Sequence, residues 1–503
     1  MVELYTCDFW KGLVINMETG TETRMLRRYI DLVQKEPVYQ SCCLYMISTW
    51  LMDSAEQDKA GGGYSEEQKK KAYKHFCEAM KGSYPAKNSV MRSWFGIGGH
   101  SEPSRTKVFQ IGLTAGWHVS ETERFLTEGL GQTGIQINDY QECIYLYGLE
   151  HHLSFDECHQ MIRVFERQIR KDVVIEQKTH TEKLKKMYLA HKTLAPENFL
   201  LWMCEQGGMF KGYSRTALKY FTSLKHTILE ERYRGFRDEL EDMLENENID
   251  SWLKQYPKED ESRGEQIRRW LHKNGDRLPT EDRDSLRALF KAAYPAHEKN
   301  ADLLEILYSS AQFGEEISAT VEKHTEYKAR EMFSLPENVH FMSGKYLSQI
   351  LDIAEQKEKA LRLEYMASRL EGMESQALCP QDIMYQLADY DKKHRYPETA
   401  GEAVKMADKM KREQKQRCQL IQREDLLPLI HMVSQIRYRQ EHGEEEYQQE
   451  EARDLFVAMA DAILHACDMA PIGWEYALDR LLLECFRETY MYSFADLIAI
   501  AEN

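Results

Sequence analysis

The sequence of 503 residues predicts an all-α protein with many helices. Leu, Glu, Lys, Met, Gln, Arg and Ala, which favour helices, are abundant along the chain. Only 12 Pro and 27 Gly interrupt them, and the alternating apolar and polar runs typical of strands are scarce. These observations favour a helical class, and the length favours roughly two to four domains or one extended helical array.

Composition and charge limit the classes of function. A formal net charge of −17 disfavours general binding to polyanions, because a negative field repels phosphate unless a local basic surface offsets it. No run approaches the roughly 18 to 20 apolar residues that span a bilayer, and the first residues lack the pattern of a secretory signal. The 11 cysteines show no repeated spacing, which favours reduced core thiols. We therefore expect a cytoplasmic protein that makes no membrane contact.

The periodicity of apolar residues divides the chain into five predicted units. They are N-terminal helices (1–53), a helix-turn-helix-like module with a hairpin repeat (65–170), a helical connector (171–237), a larger helical domain (265–442) and a C-terminal helical unit (453–503). Residues 238–250 hold seven acidic side chains and no basic one, which predicts a solvated linker and a domain boundary there.

Two charged segments and an apolar block mark the C-terminal part. Residues 404–417 carry six basic side chains on a predicted helix, and five glutamates lie within residues 444–451. The basic face could contact nucleic acid, an acidic partner or this acidic tract, while internal pairing or plain solvation is the commoner outcome. Residues 455–501 predict a packed unit of three helices, with Ser493 as the N-cap of the last.

An internal repeat with an offset of 36 residues lies within the second unit. Residues 111–126 placed over residues 147–162 align Gly112 with Gly148, Leu113 with Leu149 and Trp117 with Leu153. In each copy we expect a helix end, a short connection and a second helix, with Ser120 and Asp156 as the N-caps. Glu121 and Glu157 then lie at the positive ends of these helices. The pattern predicts two stacked helical hairpins, because one hairpin cannot bury its apolar stripe alone.

A basic stretch precedes this repeat. Residues 64–107 contain nine basic and four acidic side chains, a local charge of about +5 in an otherwise acidic chain. They form a Lys-rich helix, a break at Tyr84 and Pro85, a second helix, and a Gly-containing loop that enters an apolar helix. A basic helix pair with short polar residues is typical of a surface that follows phosphates.

The order of residues in this stretch resembles the later part of a lambda-repressor-like (Xre-type) helix-turn-helix module. The matching residues are Trp94, Phe95 and Gly96, then Pro103, Ser104 and Arg105, then Val108, Ile111, Leu113 and Ser120. With the hairpin extension, the resemblance covers about 100 of the 503 residues, approximately 65–165. It departs from the family between Gly82 and Met91, where the spacing is longer by about three residues, so the turn is remodelled.

The resemblance implies a set of contacts to DNA. Lys87, Asn88, Ser89 and Arg92 would face base edges, since Asn pairs with adenine and Arg with guanine. Lys81, Arg105 and Lys107 would hold phosphates. The alternative is that Val90, Trp94 and Phe95 form core while the lysines are a solvated helix face; relatives of this module also serve as protein contacts.

Motifs for chemistry do not appear in a suitable context. Residues 129–134, GLGQTG, have the glycine spacing of a dinucleotide-binding loop but follow a predicted helix, so we interpret them as the loop between the two repeat copies. His151 and His152, Cys158 and His159, and His465 and Cys467 lack the paired spacing of a zinc site. We predict no cofactor, metal or catalytic residue, although residues distant in the sequence could still form a catalytic group.

Three functions stay open at this point. The leading hypothesis is a non-enzymatic regulator or adaptor that acts through protein–protein contacts. The alternatives are a sequence-specific DNA-binding transcriptional regulator and a scaffold of helical repeats without nucleic-acid contact. The sequence does not indicate the oligomeric state. The arrangement of residues 65–120 distinguishes the docking hypotheses from the scaffold hypothesis, because a basic face open to solvent permits docking and an enclosed one does not.

Overall fold

Helix-forming sequence produces twenty-one α-helices in the part of the chain that the computed structural model describes. This part comprises residues 38–51, 64–168, 181–308 and 344–496, apart from 211, 259, 299, 416–419, 444–446, 475, 489–490 and 495. Within it no strand forms, and two isolated antiparallel bridges pair Leu378 with Thr399 and Phe486 with Met491. The predicted all-α class is therefore confirmed.

The described helices are numbered here in chain order. The first nine are α1 (Val38–Trp50), α2 (Glu66–Ala79), α3 (Asn88–Trp94), α4 (Arg105–Ala115), α5 (Val119–Arg124), α6 (Tyr140–His151), α7 (Phe155–Gln168), α8 (Thr181–His191) and α9 (Pro196–Glu205). The next six are α10 (Arg215–Asn246), α11 (Ile249–Gln255), α12 (Arg263–Asn274), α13 (Thr280–Ala293), α14 (Asn300–Tyr308) and α15 (Gly344–Leu351). The last six are α16 (Ile353–Leu370), α17 (Gln381–Tyr390), α18 (Ala400–Lys415), α19 (Arg423–His442), α20 (Gln449–Ala466) and α21 (Ala477–Leu483). A π-helical turn (Phe125–Gly129) continues α5, and short 3₁₀ turns follow α9 and α12.

The apolar faces of the described helices pack into four cores. The first core contains α1 to α9 and extends from Cys42 to Phe210. The second joins the first half of α10 to α14, α15 and α19 to α21, and the third joins the second half of α10 to α11, α12 and α13. The fourth is a small core of α16, α17 and α18.

The acidic run 238–250 is not the linker that its charge predicted. Residues 238–246 continue α10, and the remainder turn directly into α11. Leu240 and Leu244 in this run are fully buried in the third core. The two leucines lie four residues apart on one helix face, so the acids occupy the other faces and remain solvated. Charge alone therefore misled the prediction.

The structure describes part of the first predicted unit and the predicted N-cap at Ser493. Residues 1–37 lie outside the described residues. In the described part of the first predicted unit, Ile47 and Leu51 are buried but Leu44 is half-exposed. Near the other end, the backbone N–H of Ser493 donates to Asp496 Oδ2 at 2.8 Å, and Ser493 Oγ accepts from the backbone N–H of Asp496 at 3.1 Å. These are the reciprocal bonds of an N-cap, and the residues from 497 onward lie outside the described part.

Candidate binding surface

Helix α3 has a buried apolar side and an exposed polar side. Met91 and Trp94 are buried, and Phe95 follows at the helix end and is also buried. The Phe76 ring of α2 lies 6.4 Å from Trp94 and 5.5 Å from Phe95, measured between ring centroids. Because these large rings fix the inner side of α3, the residues between them are held toward solvent.

The connection from α2 to α3 is longer than a helix-turn-helix turn. It spans residues 80–87, eight residues, where that motif uses a turn of about three or four. Lys81 has φ +47° and Gly82 has φ +91°, so the chain leaves α2 through two consecutive left-handed residues. This longer connection agrees with the longer spacing between Gly82 and Met91.

Five of the seven predicted contact residues are exposed, four of them at the N-cap of α3 or on α3 and one in the connection from α2. They are Lys81, Lys87, Asn88, Ser89 and Arg92. Within the described residues, none of the five side chains makes a hydrogen bond or an ion pair. We call this set the α3 face. Val90 has 42% of its surface exposed, so the alternative that counted it as core does not hold for this residue, whereas Trp94 and Phe95 are core, as that alternative expected.

Arg105 does not belong to the α3 face. Its Nε and Nη2 donate to Glu142 Oε1 and Oε2, both at 2.7 Å. Its Nη1 also donates to the carbonyl oxygen of Thr133 at 2.7 Å, and Nη2 to that of Gly134 at 2.8 Å. All three nitrogens of the guanidinium are therefore engaged inside the protein, and the phosphate contact predicted for Arg105 is corrected to a structural role.

Lys107 lies on α4 and is half-buried. Its Nζ donates to Gln110 Oε1 on the same helix at 3.1 Å. The sequence placed Arg105 and Lys107 together as phosphate contacts, but the structure separates both from the α3 face. Side chains two residues apart on a helix do not share a face, so Arg105 and Lys107 leave α4 in different directions.

The two predicted hairpins are present and end in the same way. Helix α4 ends at Gly116 with φ +72°, and α6 ends at His152, the equivalent position, with φ +54°. In both, the next backbone N–H donates at 2.9 Å to the carbonyl of the equivalent glycine, Gly112 or Gly148. The matching left-handed ends make the 36-residue repeat a repeat of structure.

The N-caps of the second helices lie two residues earlier than predicted. The backbone N–H of His118 donates to Glu121 Oε2 at 2.7 Å, and that of Ser154 donates to Glu157 Oε2 at the same distance. The glutamates therefore occupy the third helical position and reach back to the cap. Ser120 and Asp156 lie within the first turn of their helices and do not cap them.

The two hairpins pack on each other reciprocally at their glycines. A methyl group on Gly112 would lie 3.4 Å from Leu149 Cδ2, and one on Gly148 would lie 3.3 Å from Leu113 Cδ2. Leu113 and Leu149 are themselves equivalent in the repeat. In addition, α4 contacts α7 while α5 contacts α6. Each hairpin thus presents the same surface to the other, as in a two-fold pair.

The glycine-rich loop and His151 are held by contacts within the protein. Residues 131–136 form an irregular loop on which Arg105 closes, consistent with its interpretation as the connection between hairpins. The His151 ring stacks on Tyr147 at 4.1 Å between centroids, and its Nε2 lies 2.6 Å from the carbonyl of Lys192. Among the described residues no group of three or more His, Cys, Asp and Glu side chains is arranged to hold a metal ion.

Comparison with family models, with curated proteins and with solved structures finds no match to this chain. No helix in the described part of the protein is long and apolar enough to cross a bilayer. The candidate binding surface therefore rests on the geometry of the chain itself.

The basic helix near the C-terminus is partly paired within the protein. Lys411 of α18 forms an ion pair with Glu364 of α16 at 2.5 Å, and Lys409 lies 3.9 Å from Glu413 on its own helix. The glutamates 444–446 lie outside the described residues. Sequence reasoning missed the short basic run Lys392, Lys393 and Arg395, which the fold brings beside α18. The run DKKHR just before a basic helix was the signal.

Proposed function

We propose that this protein is a non-enzymatic helical adaptor or regulator that acts by binding an anionic macromolecule through the α3 face. The observation that carries the proposal is the exposure of Asn88, Ser89 and Arg92 on the side of α3 opposite its buried rings, with Lys87 at its N-cap and Lys81 in the preceding connection also exposed. The three cations have no carboxylate partner within the described residues. Their positive charge is therefore available to an anionic partner.

An acidic protein surface is the leading partner. The cations are few, and α3 has only seven residues, so the face suits a compact patch of carboxylates. Val90 is 42% exposed and Tyr84 is 49% exposed, which adds apolar area beside the charges. A patch that combines cations with one aromatic and one aliphatic side chain is typical of a protein interface.

DNA is the second candidate, and one observation favours it. Asn88 and Arg92 lie four residues apart on the exposed side of the same helix, so both side chains can point in one direction. An amide and a guanidinium in this arrangement can read adenine and guanine edges in a major groove. The eight-residue connection to α2 alters how deeply α3 would enter the groove.

A capture and titration experiment tests the leading proposal. Partners are captured from cells that make this protein, and each acidic protein recovered is purified and titrated against the full chain. The Lys87→Ala, Arg92→Ala double variant should weaken binding by about thirtyfold, because each of the two charge-assisted contacts contributes roughly 1 kcal/mol. Lys273→Ala, Lys291→Ala is the matched control, since it removes two exposed positive charges on α12 and α13.

The control variant should bind like the wild type. If the double variant on α3 binds every recovered partner with unchanged affinity, the α3 face is not the docking surface and the proposal fails. If no acidic protein binds the purified chain, the scaffold hypothesis replaces the adaptor.

A polarisation assay on duplex DNA tests the second candidate. Genomic fragments are titrated with the full chain at two salt concentrations. DNA recognition would give binding that weakens with salt, and the Lys87→Ala, Arg92→Ala variant would reduce the salt slope by about two because two phosphate or base contacts are lost. Absence of a shift at micromolar protein and low salt excludes DNA.

A further inference from the structure

A concave basic cleft lies between α16, the connection after α17, and α18. Its cavity volume is about 360 Å³. Lys359 of α16 contributes one wall, Lys392 and Lys393 the second, and Lys409 of α18 the third. This volume is in the range of small-molecule sites, roughly 300 to 1,000 Å³. The cleft is far in sequence from the α3 face and does not depend on the function proposed for it.

The cations in the cleft outnumber the carboxylates. Five basic side chains line it, with two acidic ones, Asp391 and Glu413. Asp391 is committed to Arg395, whose Nε lies 2.8 Å from Asp391 Oδ2. Glu413 lies 3.9 Å from Lys409, a weak ion pair between exposed groups. Lys392 and Lys393 are exposed and make no ion pair within the described residues.

The loop that carries these two lysines has a fixed shape. The backbone N–H of Arg395 also donates to Asp391 Oδ2, at 3.3 Å, and that of His394 donates to the Asp391 carbonyl at 2.8 Å. The hydrogen bond from the Arg395 side chain lowers the pKa of Asp391 to about 2, so the carboxylate stays charged at ordinary pH. His394 has φ +47°, a conformation that side chains rarely adopt, and it makes the turn tight. The loop backbone that carries Lys392 and Lys393 is therefore held in one shape before a ligand binds.

An apolar floor lies beside the cations. Met406 and Met410 of α18 line the cleft, and the Tyr390 ring carries the ammonium of Lys359 at 4.5 Å from its centroid. Methionine side chains adapt to flat or irregular ligand groups. A ligand with an anionic end and a ring or apolar end would therefore contact both parts of the cleft.

We infer that this cleft, formed by Lys359, Lys392, Lys393 and Lys409 over Met406 and Met410, binds a small phosphate-bearing molecule. Lysine ammonium groups hold phosphate as point charges. A diphosphate group meets the two adjacent lysines of the loop and the lysine of α18, and the concave shape favours a small ligand over a flat macromolecular surface. The ligand class is a phosphorylated metabolite with a ring, such as a nucleoside diphosphate.

Calorimetric titration of the full chain tests the inference. The probes are inorganic pyrophosphate, ADP, citrate and a short DNA duplex, each titrated up to about 1 mM, where weak specific binding is still measurable. We expect pyrophosphate and ADP to bind with one-to-one stoichiometry and ADP to bind more tightly. The Lys392→Gln, Lys393→Gln variant should lose about tenfold in affinity for both, since two charge-assisted contacts are removed.

Lys273→Gln, Lys291→Gln removes the same charge on another surface and should bind like the wild type. Circular dichroism of the two variants establishes that their folds are equal. Absence of saturable binding of pyrophosphate and ADP would overturn the inference, and so would equal affinity in the cleft variant and the control. Equal binding of citrate would replace phosphate with carboxylate as the ligand class. A duplex that displaces pyrophosphate would assign the cleft to nucleic acid.

Discussion

Arg92 and Arg105 come from the same basic stretch and were predicted to have the same kind of role, yet their surroundings are opposite. Arg92 projects from α3 into solvent. Arg105 begins α4 and closes on Glu142 and the loop between the hairpins, through donor–acceptor distances of 2.7 to 2.8 Å. Whether an arginine stabilises the fold or remains available for binding therefore depends on the groups that lie around it in the folded chain.

The largest expected effect is the loss of the internal arginine. Arg105→Leu leaves the Glu142 carboxylate without its counter-ion and the carbonyl groups of Thr133 and Gly134 without donors. We expect the hairpin pair to lose about 3 kcal/mol of stability, since breaking a well-buried ion pair is strongly destabilising. Hydrogen exchange of the amides in α4 to α7 measures the free energy of opening.

Two further variants sharpen this prediction. Arg92→Leu should change the same opening free energy by less than about 0.5 kcal/mol, as is usual for an exposed side chain. Arg105→Lys keeps the charge but loses the fork geometry, so it should recover only part of the stability. Equal protection in the Arg105→Leu and Arg92→Leu variants would show that the two arginines do not differ as the structure indicates.

Local patterns in the sequence were sufficient for the helical class and for the hairpin repeat. Gly112 and Gly148 align at an offset of 36 because both sit where the two hairpins approach closely, and a repeat of packing leaves a repeat in sequence. The N-cap error of two residues arose because both Ser120 and Asp156 are good caps by type. Glu121 and Glu157, reaching back three residues, fix the true start.

Contacts between residues distant in the sequence were not predictable in this way. The direction of Arg105 depends on Glu142, which lies 37 residues later. Similarly, the cleft brings Lys359 against Lys393 and Lys409 through the packing of three helices. The exposed part of the α3 face could be predicted because Asn88 and Arg92 lie four residues apart on one helix, opposite the apolar residues Met91 and Trp94.

His431 is a buried polar side chain that, unlike Arg105, has few hydrogen-bond partners. His431 of α19 is fully buried, with its ring 5.2 Å from Phe456 and 5.3 Å from Phe486 between centroids. Its Nδ1 has no hydrogen-bond partner in the described part of the chain. Burial lowers the pKa of His431 to about 3, because the apolar surroundings disfavour the charged ring.

This histidine should make stability fall in mild acid. The unfolded chain binds a proton on His431 below about pH 6.5, whereas the folded chain does not until about pH 3. From pH 8 to pH 5 the unfolding free energy should decrease by about 2 kcal/mol from this group. Urea denaturation at both pH values measures the decrease. His431→Leu should reduce the pH dependence by that amount, and an unchanged dependence would contradict a neutral buried ring.

The smallest expected effect concerns the contact between the two helices of the second hairpin, α6 and α7. Gly148→Ala places a methyl group against Cys158 Sγ, which is fully buried. Alanine ordinarily stabilises a helix relative to glycine by roughly 1 kcal/mol, but overpacking here should outweigh this gain and destabilise the pair by about 1 to 2 kcal/mol. Hydrogen exchange of α6 and α7 provides the measurement.

A double-mutant cycle identifies the cause of this loss. In Gly148→Ala with Cys158→Ala, the sulfur that overlaps the new methyl group is absent, so the double variant should be more stable than the two single effects predict when added. The equivalent cycle in the first copy uses Gly112→Ala, whose methyl group would lie 2.7 Å from Thr122 Oγ1, with Thr122→Ala. Coupling of the same sign in both cycles follows from the equivalent packing of the two helices within each hairpin. Coupling in one copy alone would mean that the hairpins are related in sequence but not in how their two helices pack.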